Sequence, residues 1–346
     1  MRRAVDGLVA AAVGVVLAVA GAATAHADPP GPTDYQSSIV AIEPETPTIE
    51  PGIVGGDSFF ELRVDPGVEV FVVGYQGEDT IWFRPDGTVW ENRNSPSTYL
   101  NADRLGGGSI PPTATPDAAP DWEQVASDGH WAWHDHRAHW MQEARPFGRG
   151  PGDRIVEAVI PLVVDDVEVD VTVVSTWQPA PSPLPAIAGG IAGLAAGLGA
   201  VLLRRRGVAA LVAFVPVVVL AVVVGVWQFA SLPPETGPRP VWWVLPTIAA
   251  ISLVVGLIAD RRSASFVADG AQLLLGVELV VWGFLKRDGL TAAIIPSDAP
   301  GWLDRFATAT ALGSGLVAAG LAVWWLASPP VNASRAPTGS PRPAHR

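Results

Sequence analysis

The chain has no cysteine, a single lysine, two methionines and three tyrosines in 346 residues. Without cysteine it can form no disulfide, no thiolate metal site, no thiolate-held iron–sulfur cluster and no cysteine nucleophile. Charge is also scarce, at 16% against 49% hydrophobic residues, which excludes a disordered composition. A formal net charge of −12 and a pI of 4.9 leave no basic face for nucleic acid. The G-x-S-x-G elbow, the P-loop and the H-E-x-x-H helix are all missing. The adjacent carboxylates Asp165 and Asp166 fall in an expected hairpin turn, where Asp serves the backbone. The sequence therefore predicts a protein that is not an enzyme.

The charge is unevenly placed. Residues 28–183 carry 26 acidic residues against 8 Arg, a net −18, whereas residues 184–346 carry 7 against 12, a net +5. Residues 1–27 read as a secretory signal peptide. Arg2 and Arg3 precede an apolar stretch over 8–23, and Ala25-His26-Ala27 forms a cleavage site before Asp28. The stretch is short for a membrane span, which favours cleavage over an uncleaved anchor.

After residue 183 come five apolar segments, 184–203, 208–229, 241–259, 266–285 and 306–327, each near the length that crosses a bilayer as a helix. The basic residues of alternate loops are unequal. Arg204, Arg205, Arg206, Arg261, Arg262, Arg335, Arg342 and Arg346 fall on one side, and Arg239, Lys286, Arg287 and Arg305 on the other. By the positive-inside rule the first side is cytoplasmic. This puts residues 28–183 outside, as the signal requires, and 328–346 inside as a disordered tail. Gly189, Gly193 and Gly197, and Ala307, Ala311, Gly315 and Ala319, recur at four-residue spacing and predict close helix packing within the bundle. Pro216 and Pro246 are expected to kink the second and third helices. Glu278 is the one acid well inside a segment. It is either a proton- or cation-handling carboxylate, or a protonated Glu, or one hydrogen-bonded to a neighbouring helix or to Gln272 on its own helix. The spans contain no His, Met or Cys, so haem or copper within the membrane is not expected.

In the acidic half, 58–64 and 68–75 flank Asp65-Pro66-Gly67, and 80–84 and 88–92 flank Pro85-Asp86-Gly87. Segments 154–163 and 167–177 flank Val164-Asp165-Asp166. Val167, Val169, Val171 and Val173 alternate with Glu168, Asp170 and Thr172, the pattern of a half-buried strand. With 38–43 and one strand near the histidines, seven to nine strands suit an immunoglobulin-like antiparallel β-sandwich. Segments 28–36 and 43–56 look irregular or extended, and 105–120 a long loop.

Four of the six histidines lie within ten residues, at His130, His134, His136 and His139. On a continuous strand the first three would share a face. If the chain turns after residue 135, His136 and His139 would meet instead. Imidazoles with Asp135 and Met141 as further ligands suit copper or zinc. The alternative is a hydrogen-bonded and stacked network with Trp131, Trp133, Trp140 and Arg137. No other cofactor is expected.

The stretch 133–141 (W-H-D-H-R-A-H-W-M), the segments 63–70 and 95–101, and the layout of signal, ectodomain and several spans resemble a group of uncharacterised actinobacterial exported multi-pass membrane proteins. That resemblance implies no activity. The sequence thus predicts a non-enzymatic cell-envelope protein anchored in the lipid bilayer, with an envelope protein or a divalent metal as candidate partner.

Overall fold

A computed structural model describes residues 28–327 apart from Glu143 and Gly207. The signal and the C-terminal tail expected from the sequence lie outside the described residues. An antiparallel β domain over residues 35–177 is followed by five long apolar helices.

The β domain has ten strands: β1 (Tyr35–Glu43), β2 (Ile49–Val54), β3 (Phe59–Val64), β4 (Val70–Val73), β5 (Asp79–Phe83), β6 (Val89–Asn92), β7 (Trp122–Ala126), β8 (His130–Trp133), β9 (Arg154–Val164) and β10 (Val167–Trp177). A seven-stranded sheet runs β1-β10-β9-β4-β5-β6-β7 and faces a three-stranded sheet β2-β3-β8. The alternation read in β10 buries Val169, Val171 and Val173. These join Ile160, Leu162, Val70, Val72, Ile81, Phe83 and Val89 against Phe60, Leu62 and Trp133 of the smaller sheet. The β9–β10 hairpin closes through Asp165 and Asp166 at φ 46° and 66°. Two left-handed residues in a two-residue loop match the twist of the strands, and Asp tolerates that conformation.

Two elements depart from expectation, β7 and a short helix. Within 43–56, expected to be irregular or extended, the chain is extended as β2. Pro51 is tolerated there because β2 is the outer strand of its sheet, where one side of the backbone needs no donor. Strand β7 brings the count to ten. A short helix α1 (Pro96–Leu100) begins at Ser95, whose hydroxyl accepts from the Ser97 N–H, with Pro96 in the first turn.

The helices are α2 (Leu184–Arg205), α3 (Val215–Ala230, preceded by the 3-10 turn Ala210–Phe214), α4 (Val241–Arg261), α5 (Ser265–Leu285) and α6 (Gly301–Ala327). Helix α5, the most polar, is also the most buried, packed between α4 and α6. The small-residue stripes close the bundle internally. A Cβ on Gly193 would lie 2.7 Å from Ser314 N and Thr310 O of α6, and one on Gly276 2.6 Å from Ala319 N. Pro216 does not bend a helix interior. It occupies the first turn of α3, where its missing N–H has no partner to lose. Pro246 does lie inside α4.

The smaller sheet is covered on both faces. Its outer side, with Phe59 and Ala132, packs on Leu232 of the α3–α4 loop. Thr33 and Ile294 of the α5–α6 loop exchange backbone hydrogen bonds of 3.0 and 2.9 Å, and the Ala293 N–H donates to Asp34 Oδ1 at 3.0 Å. The β domain therefore sits on the end of the bundle formed by these two loops.

Candidate functional site

The four histidines do not share one strand face, because β8 ends at Trp133. His130 belongs to the outer face of the smaller sheet. Its Nε2 is 3.0 Å from Glu61 Oε2 on β3, and its Nδ1 is 2.9 Å from Glu235 Oε1 in the α3–α4 loop. The second contact has the distance of an ion pair without hydrogen-bond alignment.

The chain turns at Asp135, where the Ala138 N–H donates to the Asp135 carbonyl at 2.8 Å, and His136 and His139 meet edge to face at 5.5 Å. His134 packs edge to face on His139 at 6.4 Å and stacks on Phe59 at 4.0 Å. Its two ring nitrogens face carbonyl oxygens, Ser58 at 2.5 Å and Asp28 at 2.9 Å. Burial nevertheless holds its pKa below the usual histidine value, opposed by those two carbonyls. His136 Nε2 faces the Asp103 carbonyl at 2.9 Å, and its ring stacks on Tyr75. His139 is held down to about 3 by burial, with the Arg104 charge adding to it. Its Nδ1 faces the Trp140 carbonyl at 3.1 Å, and its Nε2 is buried without a partner among the described residues. The side chains of His136 and Met141 both reach Gly106.

Asp135 is occupied otherwise. Its oxygens accept from Arg137 Nε at 2.8 Å, Arg137 Nη2 at 2.7 Å and Trp133 Nε1 at 3.2 Å. Arg137 also caps the Val73 carbonyl and lies over Tyr75. This carboxylate neutralises a buried guanidinium and does not face the imidazoles. Among the described residues, no three His, Asp or Glu side chains converge with metal-ligand geometry.

Beside this network lies a cleft of about 390 Å³ that the sequence did not reveal. Glu91 of β6, Glu123 of β7 and Arg93 form one wall, Tyr99 and Asn101 from α1 and its C-terminal cap another, and Trp131 of β8 a third, while Glu235 of the membrane loops closes it. Helix α1 is fixed by Glu78. Burial pushes that carboxyl up, but hydrogen bonds from Ser97 and Ser95 and from the backbone outweigh it and hold it below the usual range. Burial, with Glu123 nearby, pushes Glu91 up to about 7.

Within the bundle, Lys286 Nζ is buried between Gln228 Oε1 and Asp304 Oδ2, each at 2.5 Å. Arg305 donates to the carbonyls of Gly289, Ala292 and Ala293. Two of the four basic residues counted on this side are thus internal structural groups. At the other end Arg204 pairs with Asp269 at 2.8 Å. Gln272 donates to the Ala318 carbonyl, not to Glu278. Both Glu278 oxygens are buried without a partner among the described residues.

No protein family, curated protein or solved structure matches this chain.

Proposed function

We propose that the chain is a non-enzymatic integral protein of the cell envelope, exported by its signal. In this reading it holds the β-sandwich on the outer membrane-water boundary, where the sandwich takes part in envelope interaction or assembly. The observation that carries this is the junction. Thr33–Ile294, Asp34–Ala293 and His130–Glu235 fasten the sandwich to one end of the bundle. An inert anchor needs only a linker, whereas a sandwich seated on its loops is built to present a surface at a fixed height and orientation. The cleft at that junction is the surface it presents, because one wall comes from each sheet and Glu235 from the bundle. The resemblance to actinobacterial exported proteins fits this placement.

A photo-crosslinking side chain at Arg93, in the cleft, and another at Asp170, on the opposite side of the sandwich, test the reading in intact cells. A discrete adduct from Arg93 with none from Asp170 is expected. Equal labelling from both positions, or none from either, would overturn the reading.

Two narrower readings each have one observation behind them. Metal handling rests on His139, whose buried Nε2 lacks a partner among the described residues and lies near His136 and Met141. Binding of Cu(II) or Zn(II) at about micromolar levels, lost on His139→Ala, would support it. Proton-coupled transport rests on the Glu278 carboxyl, buried without a partner among the described residues. It requires that Glu278→Gln abolish function while Glu278→Asp retains part of it.

A further inference from the structure

The seven-stranded sheet outreaches the three-stranded one, so the inner face of β6 and β7 extends past the free edge of β8. Inward positions along β6 begin with the core residue Val89 and continue to Glu91, which stands opposite Ile81 on β5 and Glu123 on β7. Two carboxylates at positions that the period-two pattern assigns to the core break the rule that organises the rest of the sheet. Arg93 pairs with Glu123 at 3.3 Å, but both side chains are more than half exposed and can reorient. Across the cleft the indole N–H of Trp131 is buried and has no acceptor among the described residues. Glu235, with its side chain only 10% exposed, leaves Oε1 without an aligned hydrogen bond. A buried indole N–H without an acceptor, across the cleft from a wall that carries two carboxylates, points to a missing ligand. The carboxylates call for a cation, the indole N–H calls for an acceptor, and the Trp131 and Tyr99 rings give a cation apolar walls.

We propose that the cleft binds an ammonium group that adjoins a carbonyl, as at the free amino end of a peptide or aminoacyl group. The ammonium lies between Glu91 and Glu123, and the carbonyl oxygen accepts from the Trp131 indole N–H. The proposal rests on the cleft being the interacting surface, and it names the chemistry recognised there. The cleft volume matches the lower range of small-ligand sites. An ammonium beside Glu91 favours its ionised form, so binding releases a proton below neutral pH. The titratable and charged groups that line the cleft with Glu91 are Glu123, Arg93, Tyr99, Glu235 and His134.

The test uses the full chain in detergent and two probes, alanyl-alaninamide and its Nα-acetyl derivative, followed by calorimetry or saturation-transfer NMR. The free amine should bind at least about tenfold more tightly than the acetylated probe. Its affinity should fall as pH drops from 7 to 5. Glu91→Gln and Trp131→Phe should each weaken it about tenfold at unchanged melting temperature. Equal binding of the two probes, no binding of either at about 10 mM, or full affinity in both variants would overturn it. If Arg93 still crosslinks selectively in cells while the amine probe fails, this inference falls and the docking reading stands.

Discussion

His130 Nδ1 lies 2.9 Å from Glu235 Oε1 while its Nε2 lies 3.0 Å from Glu61, so one imidazole joins the smaller sheet to a loop of the membrane bundle. Both ring nitrogens thus face carboxylates, Nε2 in a hydrogen bond with Glu61 and Nδ1 in close contact with Glu235. Removing the ring leaves two acidic groups facing each other across the junction. His130→Ala should therefore loosen the α3–α4 loop by about 1–3 kcal/mol, read as faster hydrogen exchange over 231–240. Unchanged exchange would mean that the backbone bridge Thr33–Ile294 alone holds the two parts together.

Asp135 provides a sharper contrast between structure and ligation. It is fully buried and its partner Arg137 is largely so. Asp135→Ala strands a guanidinium beside Tyr75 and should cost about 3–5 kcal/mol, seen in the melting temperature without any added metal. A variant as stable as the parent would return Asp135 to the candidate ligands.

Acid should weaken the domain through His134 and His139. Their folded pKa values are depressed, so the unfolded chain takes up protons that the folded one refuses as pH falls below about 6.5. For His139 the loss continues toward pH 3, at about 1.4 kcal/mol per pH unit within that window. Melting temperatures between pH 7 and 5 should fall more steeply for the parent than for His139→Phe. Parallel curves would show that His139 already carries a proton when folded.

Part of this architecture was legible because it is local. The alternation of 167–173 and the Asp165-Asp166 turn specify a hairpin from neighbouring residues alone. Five spans follow from their length and apolar content. Over 43–56 the choice between irregular and extended stayed open because Pro51 and Gly52 disfavour a strand, except at a sheet edge, and edge position is a tertiary property. Glu91 could not be recognised as inward-facing without the register of β5, β6 and β7. The contact of Lys286 with Gln228 and Asp304 ties the end of α5 to α3 and α6. His130 was counted with its sequence neighbours, yet its partners are Glu61 and Glu235, 69 and 105 residues away.

The α2–α6 contact gives a test inside the membrane. Gly193 meets backbone atoms of Thr310 and Ser314, whereas a Cβ on Gly190 would meet nothing within 4 Å. Gly193→Val should destabilise by about 1–3 kcal/mol through overpacking, and Gly190→Ala should not destabilise at all. Equal effects in a detergent melting assay would contradict the close approach of these helices.

The central claim, a sandwich displayed outside on a five-helix anchor, is tested most directly by labelling single cysteines, since the natural chain has none. Cysteines at Asp86, Asp298, Arg206 and Arg262 occupy exposed positions on the sandwich, the junction loop and the opposite end of the bundle. A membrane-impermeant maleimide applied to intact cells should label the first two and spare the last two until the membrane is permeabilised. Labelling of Arg206 or Arg262 positions in intact cells, with Asp86 protected, would place the sandwich inside and contradict the account.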